Sequence, residues 1–189
     1  MAEFCYTNYV FFSDDVEAIK SFYAELKGLS SKCSDRLCNI ANIILGSSNS
    51  ITHEISGTIE CIYEMEGSSF QVDVDSKYTP DATLWDVMLK SYPSIKYVYK
   101  AEEPSYGVFI NTDTSGKYFP ERYYAMLIKD DEIILEDYFI EESDVVKAIN
   151  EWMATEGAPN FKNLDEVNAF CDTYLSDENR LEVYKYEMK

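Results

Sequence analysis

Residues 69–75 read Ser-Phe-Gln-Val-Asp-Val-Asp, so Phe70, Val72 and Val74 alternate with Gln71, Asp73 and Asp75. A period of two sends every apolar side chain to one face of an extended strand and every polar one to the other. Such a strand belongs in an antiparallel sheet that is covered on one face and open on the other. The same alternation returns in Ile95, Tyr97 and Tyr99 against Lys96 and Lys100, and again in Leu181, Val183, Tyr184 and Tyr186. The fold must therefore supply a layer to cover one side of a sheet.

Helical stripes supply that layer. Val16, Ile19, Phe22, Tyr23 and Leu26 share a face after the capping pair Asp14 and Glu17, and Gly28 ends the helix. Residues 35–45 give a second helix through Leu37, Ile40, Ala41 and Ile44. Thr79-Pro80 reads as a helix start, and Leu84, Trp85, Met88 and Leu89 turn inward before the chain stops near Pro93. Ser143 caps a helix through Val145, Val146, Ile149, Trp152 and Met153. After a break at residues 157–160, Asn163 and Glu166 open another, with Leu164, Val167, Phe170, Cys171, Tyr174 and Leu175.

Strands are expected at residues 3–12, at 58–65 and 69–75 as a hairpin around Glu66-Gly67-Ser68, and at 94–101, 107–112, 121–128 and 132–139. The order is β-α-α-β-β-α-β-β-β-β-α-α-β. Its first two thirds hold a βαββαβ pattern, so the expected fold is α+β, a ferredoxin-like core whose antiparallel sheet is extended as a meander. The expected organisation is one domain over residues 1–142 and a helical extension over 143–189 packed on it.

The chemistry-bearing residues are sparse. His53 is the sole histidine and lies in the polar stretch Thr52-His53-Glu54, which reads as a loop. Cys5, Cys33, Cys38, Cys61 and Cys171 are odd in number and form no CxxC pair, which predicts reduced thiols and a cytoplasmic setting. No bound metal and no cofactor are expected, because no GxSxG, HExxH or glycine-rich phosphate loop occurs. Asp73 and Asp75 share a strand face, as paired carboxylates must, but exposed strands carry such acids routinely. The first residues have no basic region and no long apolar run, so neither a signal peptide nor a membrane span is expected.

Residues 89–97, Leu-Lys-Ser-Tyr-Pro-Ser-Ile-Lys-Tyr, and 102–109, Glu-Glu-Pro-Ser-Tyr-Gly-Val-Phe, resemble the YubB-type ferredoxin-like domain family. In that family a helix ending in Tyr-Pro leads to a strand, an acidic residue and a Gly-aromatic strand. The opening residues 4–10, Phe-Cys-Tyr-Thr-Asn-Tyr-Val, are similar to its N-terminal Trp-Cys-x-Asn strand, with Phe4 in place of Trp and a spacing one residue longer. The resemblance covers about residues 1–140. It implies a ferredoxin-like fold and a bacterial, mobile-element origin, and it brings no catalytic residues.

Charge is the remaining signal. The net charge is −19. A field of that sign repels nucleic acid and anionic membranes and attracts basic proteins. Residues 121–189 hold 18 acids and 7 bases, and the densest run is Asp130, Asp131, Glu132, Glu136, Asp137, Glu141, Glu142 and Asp144. Solubility, shielding of a strand edge and helix dipoles account for such a run in general. The functional expectation is a carboxylate row spaced like a phosphate backbone, on a non-catalytic interaction protein that binds a basic host protein as an inhibitor or DNA mimic. The alternatives are a small-molecule binder or enzyme with a Tyr-lined cleft, and a structural subunit of a larger assembly. Oligomeric state is open.

Overall fold

The computed structural model describes residues 4–31, 35–46, 57–130, 132–154, 157–174 and 179–189. Cys33, His53, Asp131 and Leu175 lie outside these residues, as does the loop reading around His53. The class is α+β. The chain divides into two compact units, one up to Thr114 and one spanning Ser115–Met188.

The first unit contains β1 (Phe4–Phe12), α1 (Val16–Ser30), α2 (Leu37–Ile44), β2 (Thr58–Ile62), β3 (Ser69–Lys77), α3 (Ala82–Met88), β4 (Lys96–Glu103) and β5 (Val108–Asn111). These strands lie in the order β2-β3-β1-β4-β5, and each neighbouring pair is antiparallel. The alternation in β3 has the expected consequence: Phe70, Val72 and Val74 are buried, and Gln71, Asp73 and Asp75 are half-buried on the other face. Ile19, Phe22 and Leu26 of α1, Leu37, Ile40 and Ala41 of α2, and Leu84, Trp85 and Met88 of α3 join that apolar face in one core. Its centre is aromatic. The Trp85 ring lies 4.8 Å from Phe11 and 5.5 Å from Tyr9, tilted against both, arrangements that ring quadrupoles favour.

The hairpin turn forms where expected: Glu66 and Ser69 exchange backbone hydrogen bonds, and Gly67 takes a φ of 61°, which glycine adopts without strain. Two helix starts fall elsewhere. Asp15, not Asp14, caps α1, its carboxylate accepting from the Ala18 N–H at 3.0 Å. Thr79-Pro80 does not open α3, which begins at Ala82. The Thr79 carbonyl instead accepts from the Ser76 hydroxyl at 2.7 Å, and Tyr78 adopts a φ of 70°, so the chain leaves β3 through a tight turn first.

The second unit contains β6 (Tyr123–Lys129), β7 (Glu132–Phe139), α4 (Glu142–Met153), α5 (Leu164–Tyr174) and β8 (Asn179–Lys185). Its sheet has the order β7-β6-β8, antiparallel throughout. The expected meander is corrected here. β6 and β7 do not continue the first sheet but pair in a separate one with β8. The expected boundary at residue 142 falls inside this unit, between β7 and α4, and residues 143–189 are not helical alone. The reason is burial: six of the seven residues of β6 are buried, so it needs a neighbour on each side, and β8 supplies the second.

Tyr123, Ala125 and Leu127 face the helices and join Val145, Val146, Ile149 and Met153 of α4 and Val167 of α5 in a second core. α4 begins one residue before Ser143, with Glu141 at the cap position. The Asn163 and Glu166 pair caps α5 as read: Glu166 N–H donates to the Asn163 side chain at 2.9 Å and Lys162 N–H to the Glu166 carboxylate at 2.8 Å. Among the described residues no helix is long and apolar enough to cross a membrane.

Candidate functional site

β7 is Glu-Ile-Ile-Leu-Glu-Asp-Tyr-Phe, an edge strand that pairs with β6 on one side only among the described residues. Every residue of it except Phe139 is exposed. Ile133 keeps 55% of its surface in water, Ile134 47%, Leu135 38%, Tyr138 41% and the following Ile140 52%. A long, exposed, apolar edge is what natural sheets ordinarily avoid, because its unpaired amides and carbonyls invite another strand.

The acidic residues fall into two groups around this edge. Asp130 occupies the β6–β7 turn with a φ of 51°, and Glu132 opens the strand. Glu136 accepts from the Tyr124 hydroxyl at 3.1 Å. Asp137 accepts from the Tyr138 N–H at 2.8 Å. Glu141, Glu142 and Asp144 belong to the start of α4, where their charge suits the helix dipole. The Tyr123 hydroxyl lies 3.5 Å from the Glu142 carboxylate.

Glu136 pairs with Met126 and Asp137 with Ala125, so these two carboxylates emerge on opposite faces of the sheet. The register shifts between Leu127 and Ile128, opposite Ile133–Leu135, and breaks the spacing from Glu132 to Glu136 as well. The evenly spaced carboxylate row is therefore not what the strand presents. It presents an apolar ridge flanked by acids. Ile133, Ile134, Leu135 and Ile140 were absent from the sequence-based site. The available signal was Ile-Ile-Leu itself: three consecutive apolar residues break a period of two, so an edge strand must expose some of them.

Other chemistry is weaker. Asp73 is held by the Asn8 amide at 2.7 Å, the Tyr63 hydroxyl at 2.8 Å and the Gln71 amide at 2.9 Å. That bond to Asp73 pushes the Tyr63 phenol up to about 12. Burial first, then Glu60 and Asp73, raise Asp75 above the ordinary carboxylate value. Burial raises Cys5 and takes Cys171 up to about 11, so both are thiols rather than nucleophilic thiolates at neutral pH. No group of three or more His, Cys, Asp and Glu among the described residues is placed to hold a metal. A cleft of about 650 Å³ in the second unit is lined by Arg122, Tyr123, Glu141, Glu142, Lys185 and Tyr186, with the Lys185 ammonium 5.6 Å from the centre of the Tyr123 ring.

No protein-family model matches the chain, and no curated protein matches it. Among solved structures it is similar to the crystal structure of an unknown protein from Galdieria sulphuraria, at 13% sequence identity and a TM-score of 0.25. The match covers 80% of this chain and 66% of that one, and at such a score it carries no argument about fold or function.

Proposed function

We propose that this chain is an acidic, non-catalytic interaction protein whose second unit offers the β7 edge to a basic protein partner. One observation carries the reading: β7 exposes Ile133, Ile134, Leu135 and Tyr138 along an edge where Glu132, Glu136 and Asp137 are exposed too. Apolar burial supplies affinity, at about 25 cal/mol per Å² before the costs of association. The surrounding acids select a basic partner and speed its approach. An inhibitor of a nucleic-acid-binding host protein fits that description, through its charge rather than through a phosphate-like row.

The same reading takes the first unit as ferredoxin-like and the chain as a relative of the YubB-type, mobile-element family. Its support is the antiparallel order β2-β3-β1-β4 with α1 and α3 on the connections. A cytoplasmic setting is supported by Cys5, Cys38, Cys61 and Cys171, which form no disulfide among the described residues.

The test is capture from bacterial lysate by wild-type protein and by a variant with Ile133, Ile134 and Leu135 changed to Ser. The account expects one basic protein retained by the wild type, released by salt, and lost with the variant. Equal capture by both would remove β7 from the interface. A second reading, a small-molecule binder, rests on the cleft that Arg122 and Lys185 line together with Glu141 and Glu142. Its test is a thermal-shift screen of small zwitterions against Lys185→Ala.

A further inference from the structure

The direction of the backbone along β7 says how a partner attaches. The Phe139 carbonyl accepts from the Arg122 N–H at 2.7 Å, so the Phe139 peptide is turned toward β6. In an antiparallel strand successive residues alternate in the direction of their amides and carbonyls. Tyr138 and Glu136 therefore turn theirs away from β6, toward the open edge. The Tyr138 N–H agrees with this: it donates to the Asp137 side chain at 2.8 Å. Asp137 thereby shields the edge locally, as exposed edges commonly are.

Resting on the interaction reading above, we infer that the partner engages β7 by strand addition, as an extended segment that combines basic and apolar residues. Its backbone pairs with the outward groups of Glu136 and Tyr138. Because of the register shift, Ile133 shares a face with Glu136 and Tyr138, and Leu135 shares the other with Glu132 and Asp137, so apolar and basic side chains of the added strand find partners on both faces. A carbonyl of the partner replaces the Asp137 carboxylate on the Tyr138 amide, which releases that carboxylate to a lysine or arginine. The eight residues of β7 span about 27 Å, enough for a segment of the same length.

Charge decides between occupants. A second copy of this chain would bring its own Glu132, Glu136 and Asp137 against the same acids, and like charges across a strand pair are destabilising. Each copy also carries −19. A basic segment has the opposite sign on both counts.

The experiment measures binding of three capped eight-residue peptides at low ionic strength: alternating lysine and valine, alternating lysine and glycine, and alternating glutamate and valine. The lysine–glycine peptide has the charge without the strand propensity. The account expects the lysine–valine peptide to bind roughly tenfold more tightly than the lysine–glycine one, and the glutamate peptide not to bind. Amide exchange at Glu136 and Tyr138 in the unmodified protein should slow when lysine–valine peptide is added. Glu136→Pro removes one outward donor at an edge position that tolerates proline, and it should abolish the lysine–valine advantage, while Glu136→Gln retains it.

Equal binding of both lysine peptides, with exchange unchanged at Glu136, would overturn strand addition and leave an electrostatic surface intact. Failure of both lysine peptides would sink the interaction reading itself. Slowed exchange at Glu136 without any peptide, together with dimers in sedimentation, would make a second copy the occupant and overturn the inference.

Discussion

The outer strands β2 and β7 meet the same hazard and answer it differently. β2 is five residues long, and the segment leading into α2 lies along its outer side. Ile59 N–H donates to the Asp35 carbonyl at 2.7 Å, and Leu37 N–H to the Gly57 carbonyl at 2.9 Å. Arg36 and Thr58 form an isolated bridge. The edge is thus paired by its own chain, and Ile59 is buried. β7 is eight residues long and has no such cover among the described residues. On the proposed reading, the exposure of this long apolar edge serves binding and the acids around it select the partner.

If the first unit is closed and β7 is open, truncations should cost very different amounts. Trp85→Ala removes a fully buried indole and should lower stability by about 3–5 kcal/mol in urea unfolding. An unchanged midpoint would mean that Trp85 does not support the core. A sharper contrast lies within the second unit, where Leu127 and Leu135 are register partners. Leu127 is 1% exposed and Leu135 38%. Leu127→Ala should cost about 2–5 kcal/mol, and Leu135→Ala less than about 1 kcal/mol. Similar losses would show that Leu135 is packed and that the edge is not open.

Two smaller effects probe polar groups. The Tyr9 hydroxyl is buried without a partner among the described residues. Tyr9→Phe should therefore leave stability unchanged or raise it by up to about 1 kcal/mol. A clear loss would reveal a hydrogen bond to that hydroxyl.

Asp75 sits above the ordinary carboxylate value through burial, Glu60 and Asp73. With a raised folded value, its favourable contribution is complete below the unfolded value of about 3.9 and disappears as pH rises through the folded one. Asp75→Asn should therefore raise the urea midpoint slightly at pH 7, with no difference from wild type at pH 3. Glu132→Gln, on the open edge, should leave the midpoint unchanged at both.

Legibility in the sequence followed periodicity. Phe70, Val72 and Val74 specified a covered sheet face, and Ile19, Phe22 and Leu26 specified what covers it, because a period of 2.0 or 3.6 fixes the direction of each side chain. Strand partners were not legible. β6 is apolar on both faces, and nothing local to Tyr123–Lys129 says that its second neighbour is Asn179–Lys185 rather than β5. Cap positions slipped by one residue at Asp15, where two neighbouring acids can serve the same amide, and by two at Glu141, which makes no side-chain cap hydrogen bond. The acids of the site were visible as charge. Its apolar half was not, because exposure of Ile133 and Ile134 depends on β7 being an edge, which is a property of the sheet and not of the strand.

The structure also says which acids can serve as a control for that site. Glu25, Asp81 and Asp86 are poor choices, since they accept from Tyr92, the Gly57 N–H and Tyr97 respectively. Asp14, Glu66, Glu151 and Asp165 are exposed and suit the purpose. The decisive measurement is the association rate of a captured partner with two quadruple variants over a range of salt. One has Asp130, Glu132, Glu136 and Asp137 changed to Asn or Gln, and the other has Asp14, Glu66, Glu151 and Asp165 changed likewise. Both lose the same charge, so steering by net charge alone affects them equally. The account predicts that the β7 set slows association and flattens its salt dependence far more than the control set does, because close charges act within a Debye length of about 10 Å at 0.1 M. Equal rates for the two variants would contradict it and reduce the acids of β7 to a means of solubility.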